Sequence, residues 1–179
     1  MKTFRTLAIV KHPRSLVWTT VRDHLPELVP HLADIAHVDI QSRDESADGI
    51  IRLVNSWRAD TQIPALFKSV VAPEMLSWTD RAEWRPDTWE CRWQIQPHFV
   101  TGGAQCTGVT RYEVAMAGRG TRLVYEGDLD LSTARVAGVP ALVTSVSVTA
   151  IEEFIAGLIP RNFQKLAQAV NHYLQSGVS

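Results

Sequence analysis

Three of the six histidines, His24, His31 and His37, lie close together in the sequence, and histidine is a common zinc ligand. Their intervals of seven and six residues fit neither the i,i+4 pair of a helical zinc site nor the short spacings of structural zinc sites. No cysteine lies among them. The spacing therefore favours solvated or locally hydrogen-bonded histidines, and we expect no metal.

Nucleophilic and nucleotide chemistry both need motifs that this sequence lacks. It contains no Gly-x-Ser-x-Gly turn, no GxxxxGK[ST] phosphate-binding loop and no GxGxxG. Cys91 and Cys106 stand alone, without CxxC spacing, which indicates free thiols in a reducing compartment. We therefore expect neither a catalytic serine or cysteine nor a cofactor.

Several carboxylates could form a pair for acid and base catalysis, as dehydratases and cyclases need. These residues are Asp80, Glu83, Glu126, Asp128 and Asp130. The last three lie on one predicted strand, where they alternate with apolar residues. Leu123 and Tyr125 share one face of that strand, and the three acidic residues share the opposite face. That opposite face is the solvated face of a one-sided sheet, so we expect the carboxylates to lie in solvent.

Alternating apolar and polar residues predict seven strands, most of them joined as hairpins. Their ranges are 3–11, 35–43, 51–58, 75–84, 88–96, 105–117 and 121–131. In the second strand, Ala36, Val38 and Ile40 share the apolar face. Asp48-Gly49 is a favourable hairpin turn between the second and third strands.

Three helical regions complete the predicted elements. Pro26 and Pro30 restrict the region after the first strand to short helical pieces that end near residue 32. Apolar residues at helical spacing from 143 to 174 predict a long terminal helix, with a kink or break at Pro160. Residues 63–71 predict a short helix, which is either static core or a lid over a cavity.

The interior of this arrangement combines large rings with polar side chains. Trp57, Trp89 and Trp93 fall at inward parity, where tryptophan serves either as core or as pocket wall. A strongly bent sheet around one helix leaves interior volume, which predicts a pocket between sheet and helix. The predicted ligand-binding residues are Asn55, Trp57, Phe67, Trp93, Tyr112, Tyr125, Phe154, Leu158 and Asn162.

The chain has 179 residues, 45% of them hydrophobic and 21% charged, and this predicts a single α+β domain over residues 1–179. Its formal charge of -1 gives no field that would attract nucleic acid. The N-terminus lacks the apolar core of a signal peptide, and the longest apolar stretch, 136–148, is too short and polar for a membrane span. We therefore expect a cytoplasmic protein.

The order of elements, together with two short segments, resembles a known superfamily. The first helix of that superfamily opens with a proline followed by Val-Trp, and similar residues occur here in Lys11-His12-Pro13 and Val17-Trp18. The entry of its last strand is similar to Gly120-Thr121-Arg122-Leu123. This is the START-like or SRPBCC superfamily, the helix-grip fold of the birch pollen allergen. The resemblance implies a curved seven-stranded antiparallel sheet around a long C-terminal helix, with short helices after the first strand.

Within that superfamily, three further segments resemble uncharacterised bacterial members and, more faintly, PRELI-type phospholipid carriers. They are Ile63-Pro64-Ala65-Leu66, Gly138-Val139-Pro140 and Ile151-Glu152-Glu153-Phe154. The missing catalytic motifs favour binding or transport of an apolar or amphipathic small molecule, lipid-like or polycyclic. Two alternatives stay open: a polyketide aromatase/cyclase that uses Tyr112, Tyr125 and Asn55, or a partner-binding module like the chaperone activators.

Overall fold

The structure is a computed structural model that describes residues 1–60, 76–132, 135–136 and 148–177. Its strands are β1 (Lys2–Val10), β2 (Ile35–Glu45), β3 (Ile51–Ala59), β4 (Ser77–Arg85), β5 (Glu90–Pro97), β6 (Val100–Thr101), β7 (Gln105–Ala115), β8 (Gly120–Asp130) and β9 (Arg135–Val136). Seven of these form one antiparallel sheet in the order β1-β8-β7-β5-β4-β3-β2, which confirms the seven predicted strands. The additional β6–β9 pair was not predicted, because two-residue strands show no periodicity.

Helices follow the first strand and the last. They are α1 (Arg14–Asp23), the 3₁₀ helices Leu25–His31 and Met116–Gly118, and α2 (Val148–Gln175). The first two are the short helical pieces expected around the two prolines, and Pro30 lies inside the 3₁₀ helix. Of the kink or break predicted at Pro160, the break is wrong, because α2 is one helix across that residue. Buried Ile155 and Phe163 anchor α2 on both sides of the proline, so tertiary packing supports the helix there.

Hydrogen bonds and apolar packing hold α2 to the sheet. The helix packs against β1, β8 and the first 3₁₀ helix. The backbone N–H of Lys11 donates to Asn171 Oδ1 over 2.8 Å, and Gln164 Nε2 donates to Thr6 Oγ1 over 3.2 Å. These contacts fix α2 against the β1 edge of the sheet.

β2 departs from the predicted alternation at its first residues. The register with β3 shifts between Ile35 and His37, so that an extra residue is inserted into the ladder. Ile35 and Val38 are buried as a result, whereas Ala36 is exposed. The expectation that Ala36 lies inward is thus wrong, because a bulge inverts the parity of every residue before it.

An aromatic cluster closes the end of the sheet against α1. Trp18 of α1 meets Trp84 and Tyr112 edge to face, with ring centroids 4.8 and 5.0 Å away. Trp89, predicted at an inward strand position, lies instead in the turn before β5 with φ of +55°. Its ring packs against Trp18 and carries the Arg14 guanidinium 4.0 Å above its centroid. Trp89 therefore belongs to this cluster and not to the cavity wall described below.

Two glycines on neighbouring strands make room for Trp93. Gly108 and Gly127 are register partners on β7 and β8. A Cβ at Gly108 would lie 2.1 Å from Trp93 Cζ2, and one at Gly127 would lie 2.5 Å from Trp93 Cη2. Any larger residue at either position would force the indole out of its site.

The short helix predicted at residues 63–71 lies outside the described residues. None of the helices that the structure describes combines the length and the apolar character needed to cross a membrane.

Candidate functional site

A cavity of about 220 Å³ lies between the sheet and α2. Strands β3, β4, β5, β7 and β8 line one side of it, and the stripe from Phe154 to Leu166 of α2 lines the other. Val21 of α1 and Leu25 of the 3₁₀ helix contribute at one end. The lining is mostly apolar and aromatic, which is typical of sites for small organic molecules.

The structure brings together nearly all of the predicted ligand-binding residues. Those that line the cavity are Asn55, Trp57, Trp93, Tyr112, Tyr125, Phe154, Leu158 and Asn162. Phe67 lies outside the described residues. These positions were predicted from strand parity and helical spacing, and both patterns place side chains on the face that the sheet and α2 share.

Stacked rings form much of the cavity wall. Trp57 of β3 stacks on Trp78 of β4, with centroids 5.6 Å apart and planes within 11°. Trp93 stacks on Tyr125 at 4.6 Å, and Tyr125 stacks on Phe163 of α2 at 4.3 Å. These pairs present flat apolar surfaces to the cavity.

Asp80 is the residue that the sequence analysis misplaced. It shares its parity on β4 with Trp78, Ala82 and Trp84, and all four line the cavity. Its register partner is Asn55, which is 2% exposed, and Asn55 Nδ2 donates to Asp80 Oδ2 over 3.1 Å. The expectation that Asp80 is solvated is therefore wrong. Trp78 and Trp84, two and four residues away, share the parity of Asp80, and this pattern is the signal that could have placed it.

Burial sets the protonation of Asp80. It raises the pKa of the carboxyl to about 6, while the hydrogen bond from Asn55 and the nearby indole of Trp57 both lower it. The Asp80 side chain is partly buried because it borders the cavity, and its Oδ1 is shielded from solvent. The negative charge resides on the carboxylate oxygens, so this shielding raises the pKa even though the residue is not fully buried. A group with this pKa can accept or release a proton near neutral pH.

Polar atoms without partners cluster beside this carboxylate. Within the described residues, Asp80 Oδ1 and Asn55 Oδ1 are buried and make no hydrogen bond. The indole Nε1 of Trp57 also makes none, although it is close enough to Asp80 to lower the pKa of that carboxyl. Trp57 therefore acts on the carboxylate as a nearby dipole whose geometry falls short of a hydrogen bond. Buried polar groups are usually satisfied, so this group of atoms is unusual.

Two tyrosines and two cysteines that line the cavity are held neutral. Burial raises the pKa of Tyr112 and Tyr125 well above the ordinary tyrosine value. Burial likewise raises the pKa of the Cys106 thiol to about 12 and that of the Cys91 thiol well above its usual value. Both tyrosines can donate hydrogen bonds into the cavity but are poor proton acceptors there, and neither thiol is a nucleophile.

The remaining predicted carboxylates lie outside the cavity. Glu126 bonds Arg111 and Arg5, at 2.5 and 2.9 Å, on the outer face of the sheet. Glu83 pairs with Arg52 on the same face at 3.1 Å, and Asp128 is exposed. Asp130 is only partly buried and accepts a hydrogen bond from the Ser132 N–H. For these four residues the predicted position away from the interior is confirmed.

The three clustered histidines contact separate partners. His24 Nδ1 lies 3.0 Å from Glu27, and His37 Nε2 lies 2.6 Å from Asp39. His31 packs against the ring of His172 on α2. No three His, Cys, Asp or Glu side chains within the described ranges are arranged to hold a metal ion.

Comparison with known proteins identifies the fold. No protein-family model and no curated protein matches this sequence. Among solved structures, TTHA0849 from Thermus thermophilus has a TM-score of 0.68 and 16% identity, over 99% of this chain and all of that one. The Zhui aromatase/cyclase from Streptomyces sp. R1128 has a TM-score of 0.68 and 19% identity, over 99% of this chain and 96% of that one.

A third similar structure contains two domains. The di-domain aromatase/cyclase StfQ, from the steffimycin biosynthetic pathway, has a TM-score of 0.53 and 14% identity. The match covers 94% of this chain and 43% of that one. At such identities these similarities show the fold alone. The chain has the α+β helix-grip fold of the START-like proteins, as the order of its elements predicts.

Proposed function

We propose that this protein binds a flat, apolar or amphipathic small molecule in the cavity between the sheet and α2. The observation that carries the proposal is the lining itself: stacked aromatic pairs on the strands face an apolar stripe of α2. Flat aromatic walls are the natural complement of a flat ring system, because offset stacking adds to the burial of apolar area.

The size of the cavity favours a fused-ring ligand over a lipid. Drug-sized ligands occupy pockets of roughly 300–1,000 Å³, and the present cavity measures about 220 Å³. A long acyl chain would need more volume, whereas two or three fused rings fit between walls of this kind. Of the two ligand classes that the sequence left open, we therefore propose the polycyclic one.

Binding can be tested with N-phenyl-1-naphthylamine, a neutral fluorophore that brightens in apolar sites. The blocking variant is Leu158→Trp, because Leu158 of α2 lines the cavity. The matched control is Gln168→Trp, the same change at an exposed position of the same helix. We expect saturable brightening with the unmodified protein and the control, and at least about tenfold weaker binding by Leu158→Trp. Equal binding by all three would place the dye outside the cavity and contradict the proposal.

A second candidate function is acid and base catalysis of the aromatase/cyclase kind, and Asp80 is the observation that favours it. Two of the structural neighbours named above, Zhui and StfQ, are aromatase/cyclases. In such chemistry the Asp80 carboxylate would take a proton from a carbon next to a carbonyl. The bonding pair would move to the carbonyl oxygen as an enolate, which returns to the ketone when a proton is given back. A pKa of about 6 suits this step near neutral pH.

The catalytic candidate can be tested separately from binding. We expect the protein to accelerate exchange of the protons next to the carbonyl of 1-tetralone in D₂O, followed by proton NMR. Asp80→Asn should bind N-phenyl-1-naphthylamine normally but lose the acceleration. If the unmodified protein binds the dye yet leaves the exchange rate of 1-tetralone unchanged, the protein is a binder and this step is not its activity.

A further inference from the structure

The wall formed by β3 and β4 carries a polar site among apolar rings. Asn55 and Asp80 lie directly opposite each other, and the bond between them uses one polar atom of each side chain. The other two, Asn55 Oδ1 and Asp80 Oδ1, are shielded from solvent and unpaired among the described residues. The nearby Trp57 Nε1 is a buried donor that likewise has no hydrogen-bond partner among the described residues. Three neighbouring side chains of this wall therefore hold two acceptors and one donor that no described residue satisfies.

This combination discriminates among the groups that a ligand could bring. A carboxylate can only accept, and it would be repelled by Asp80. An ammonium can only donate, and it would lie against the positive end of the Trp57 N–H. A plain hydrocarbon would leave all three atoms buried and unpaired. A hydroxyl both donates and accepts, so a single group of the ligand can satisfy the Asp80 oxygen and the Trp57 N–H together.

The neighbouring rings indicate what carries that hydroxyl. Trp57 lies two residues after Asn55 on β3, and Trp78 lies two residues before Asp80 on β4, so the stacked indoles adjoin the polar pair on the same face. Side chains at such positions lie roughly 7 Å apart, which is about the width of one aromatic ring system. When a ring lies against the indoles, a group bonded directly to that ring reaches the polar pair, whereas a group at the end of a long chain would extend past it.

We propose that the cavity recognises a hydroxyl borne directly on a flat aromatic ring system, a phenol or naphthol, which donates to Asp80 and accepts from Trp57. The inference rests on the proposed binding function and names its ligand class. Asn55 is a positioning residue here, because its bond to Oδ2 orients the carboxylate and leaves Oδ1 for the ligand.

The test compares ligands of equal shape by displacement of N-phenyl-1-naphthylamine. 2-Naphthol can donate and accept, 2-methoxynaphthalene can only accept, and 2-(aminomethyl)naphthalene brings a cation. We expect 2-naphthol to bind the unmodified protein at least about tenfold more tightly than the methyl ether, as one charge-assisted hydrogen bond provides. Asp80→Leu should abolish that preference, so that 2-naphthol and the ether bind this variant with affinities within about threefold of each other.

Trp57→Phe provides the second variant, because it retains a ring and removes only the indole donor. It should reduce the preference for 2-naphthol partially, with 2-methoxynaphthalene as the reference. Equal affinities of naphthol and ether for the unmodified protein would overturn the hydroxyl inference and leave the binding function intact. Tighter binding of the amine would overturn it in favour of a cation site. If none of the naphthalenes displaces the dye and the dye itself does not bind, the proposed binding function is overturned as well.

Discussion

Asn55 on β3 and Asp80 on β4 are register partners, and the Asn55 side-chain amide donates a 3.1 Å hydrogen bond to the Asp80 carboxylate. The bond favours the ionised form, yet burial outweighs it, since the pKa of Asp80 is raised to about 6 from an ordinary value of 3.8. The folded protein therefore contains a carboxylate whose ionised form is less stable than it would be in water.

That mismatch predicts the pH dependence of stability. The folded pKa lies above the unfolded one, so the penalty is absent below about pH 4, grows as the pH rises to about 6, and is constant above. Asp80→Asn removes the charge and should stabilise the protein at pH 7.5 by up to about 3 kcal/mol. At pH 4, where the unfolded carboxyl is only partly ionised, the gain should fall below about 1 kcal/mol. Urea unfolding of both proteins at the two pH values measures this, and an equal difference at both would contradict the assigned pKa.

Removing the Asn55 amide should raise the pKa of Asp80 further. In Asn55→Leu the carboxylate loses the hydrogen bond that lowers its pKa most, and in Trp57→Phe it loses the weaker effect of the nearby indole N–H dipole. We therefore expect a larger upward shift in the first variant than in the second. A ¹³C NMR titration of the Asp80 side-chain carboxyl reports each pKa. A pKa unchanged in Asn55→Leu would show that the amide does not act on the charge.

The glycine beneath Trp93 should tolerate no substitution. In Gly108→Ala the new Cβ would lie 2.1 Å from Trp93 Cζ2 and 2.2 Å from the Glu126 carbonyl oxygen, and the backbone atom cannot rotate away. We expect a loss of at least about 2 kcal/mol in the free energy of unfolding. Gly157→Ala on α2 is the control, because its Cβ meets nothing within 4 Å. That variant should gain about 0.5–1 kcal/mol from helix propensity, as chemical denaturation would show.

Two adjacent glutamates on α2 should differ sharply in their contribution to stability. Glu152 is buried and accepts a 3.1 Å hydrogen bond from the backbone N–H of Leu131, just after β8. Glu153 is exposed and, within the described part of the chain, pairs with Lys2 at 3.5 Å. Glu152→Ala leaves a buried N–H without its partner and should cost about 1–3 kcal/mol. Glu153→Ala should change stability by less than about 0.5 kcal/mol. Similar thermal melts for the two variants would contradict this assignment.

Most of the fold could be predicted because its elements are strongly periodic. Alternation along β3 and β8 located the buried faces, and the apolar stripe of α2 located the opposite wall. The failures have specific causes. The bulge at Ala36 inverted a parity that periodicity alone could not correct. At Pro160, packing against the sheet outweighed an unfavourable local residue.

The polar part of the site was harder to predict than its aromatic part. Tryptophan at inward parity is expected in an interior, whereas Asp80 at the same parity conflicts with the rule that charges lie in solvent. Asn55, which lies opposite Asp80 on the neighbouring strand, provides a hydrogen bond that makes the buried position possible. The sequence of one strand does not determine which residue of the next strand lies opposite it, so this partner could not be predicted. The short helix at residues 63–71, either static core or a lid, stays a prediction.

The chain order of the elements has a consequence for biosynthesis. All seven strands of the sheet precede α2, which supplies the opposite wall of the cavity. During translation the sheet can therefore form while its inner face, including Trp57 and Trp93, still lacks its cover. That face carries large aromatic side chains and would be open to chaperones or to other chains. A small molecule of the proposed class that stacks there early would shield it and raise the yield of folded protein even where it leaves the folding rate unchanged.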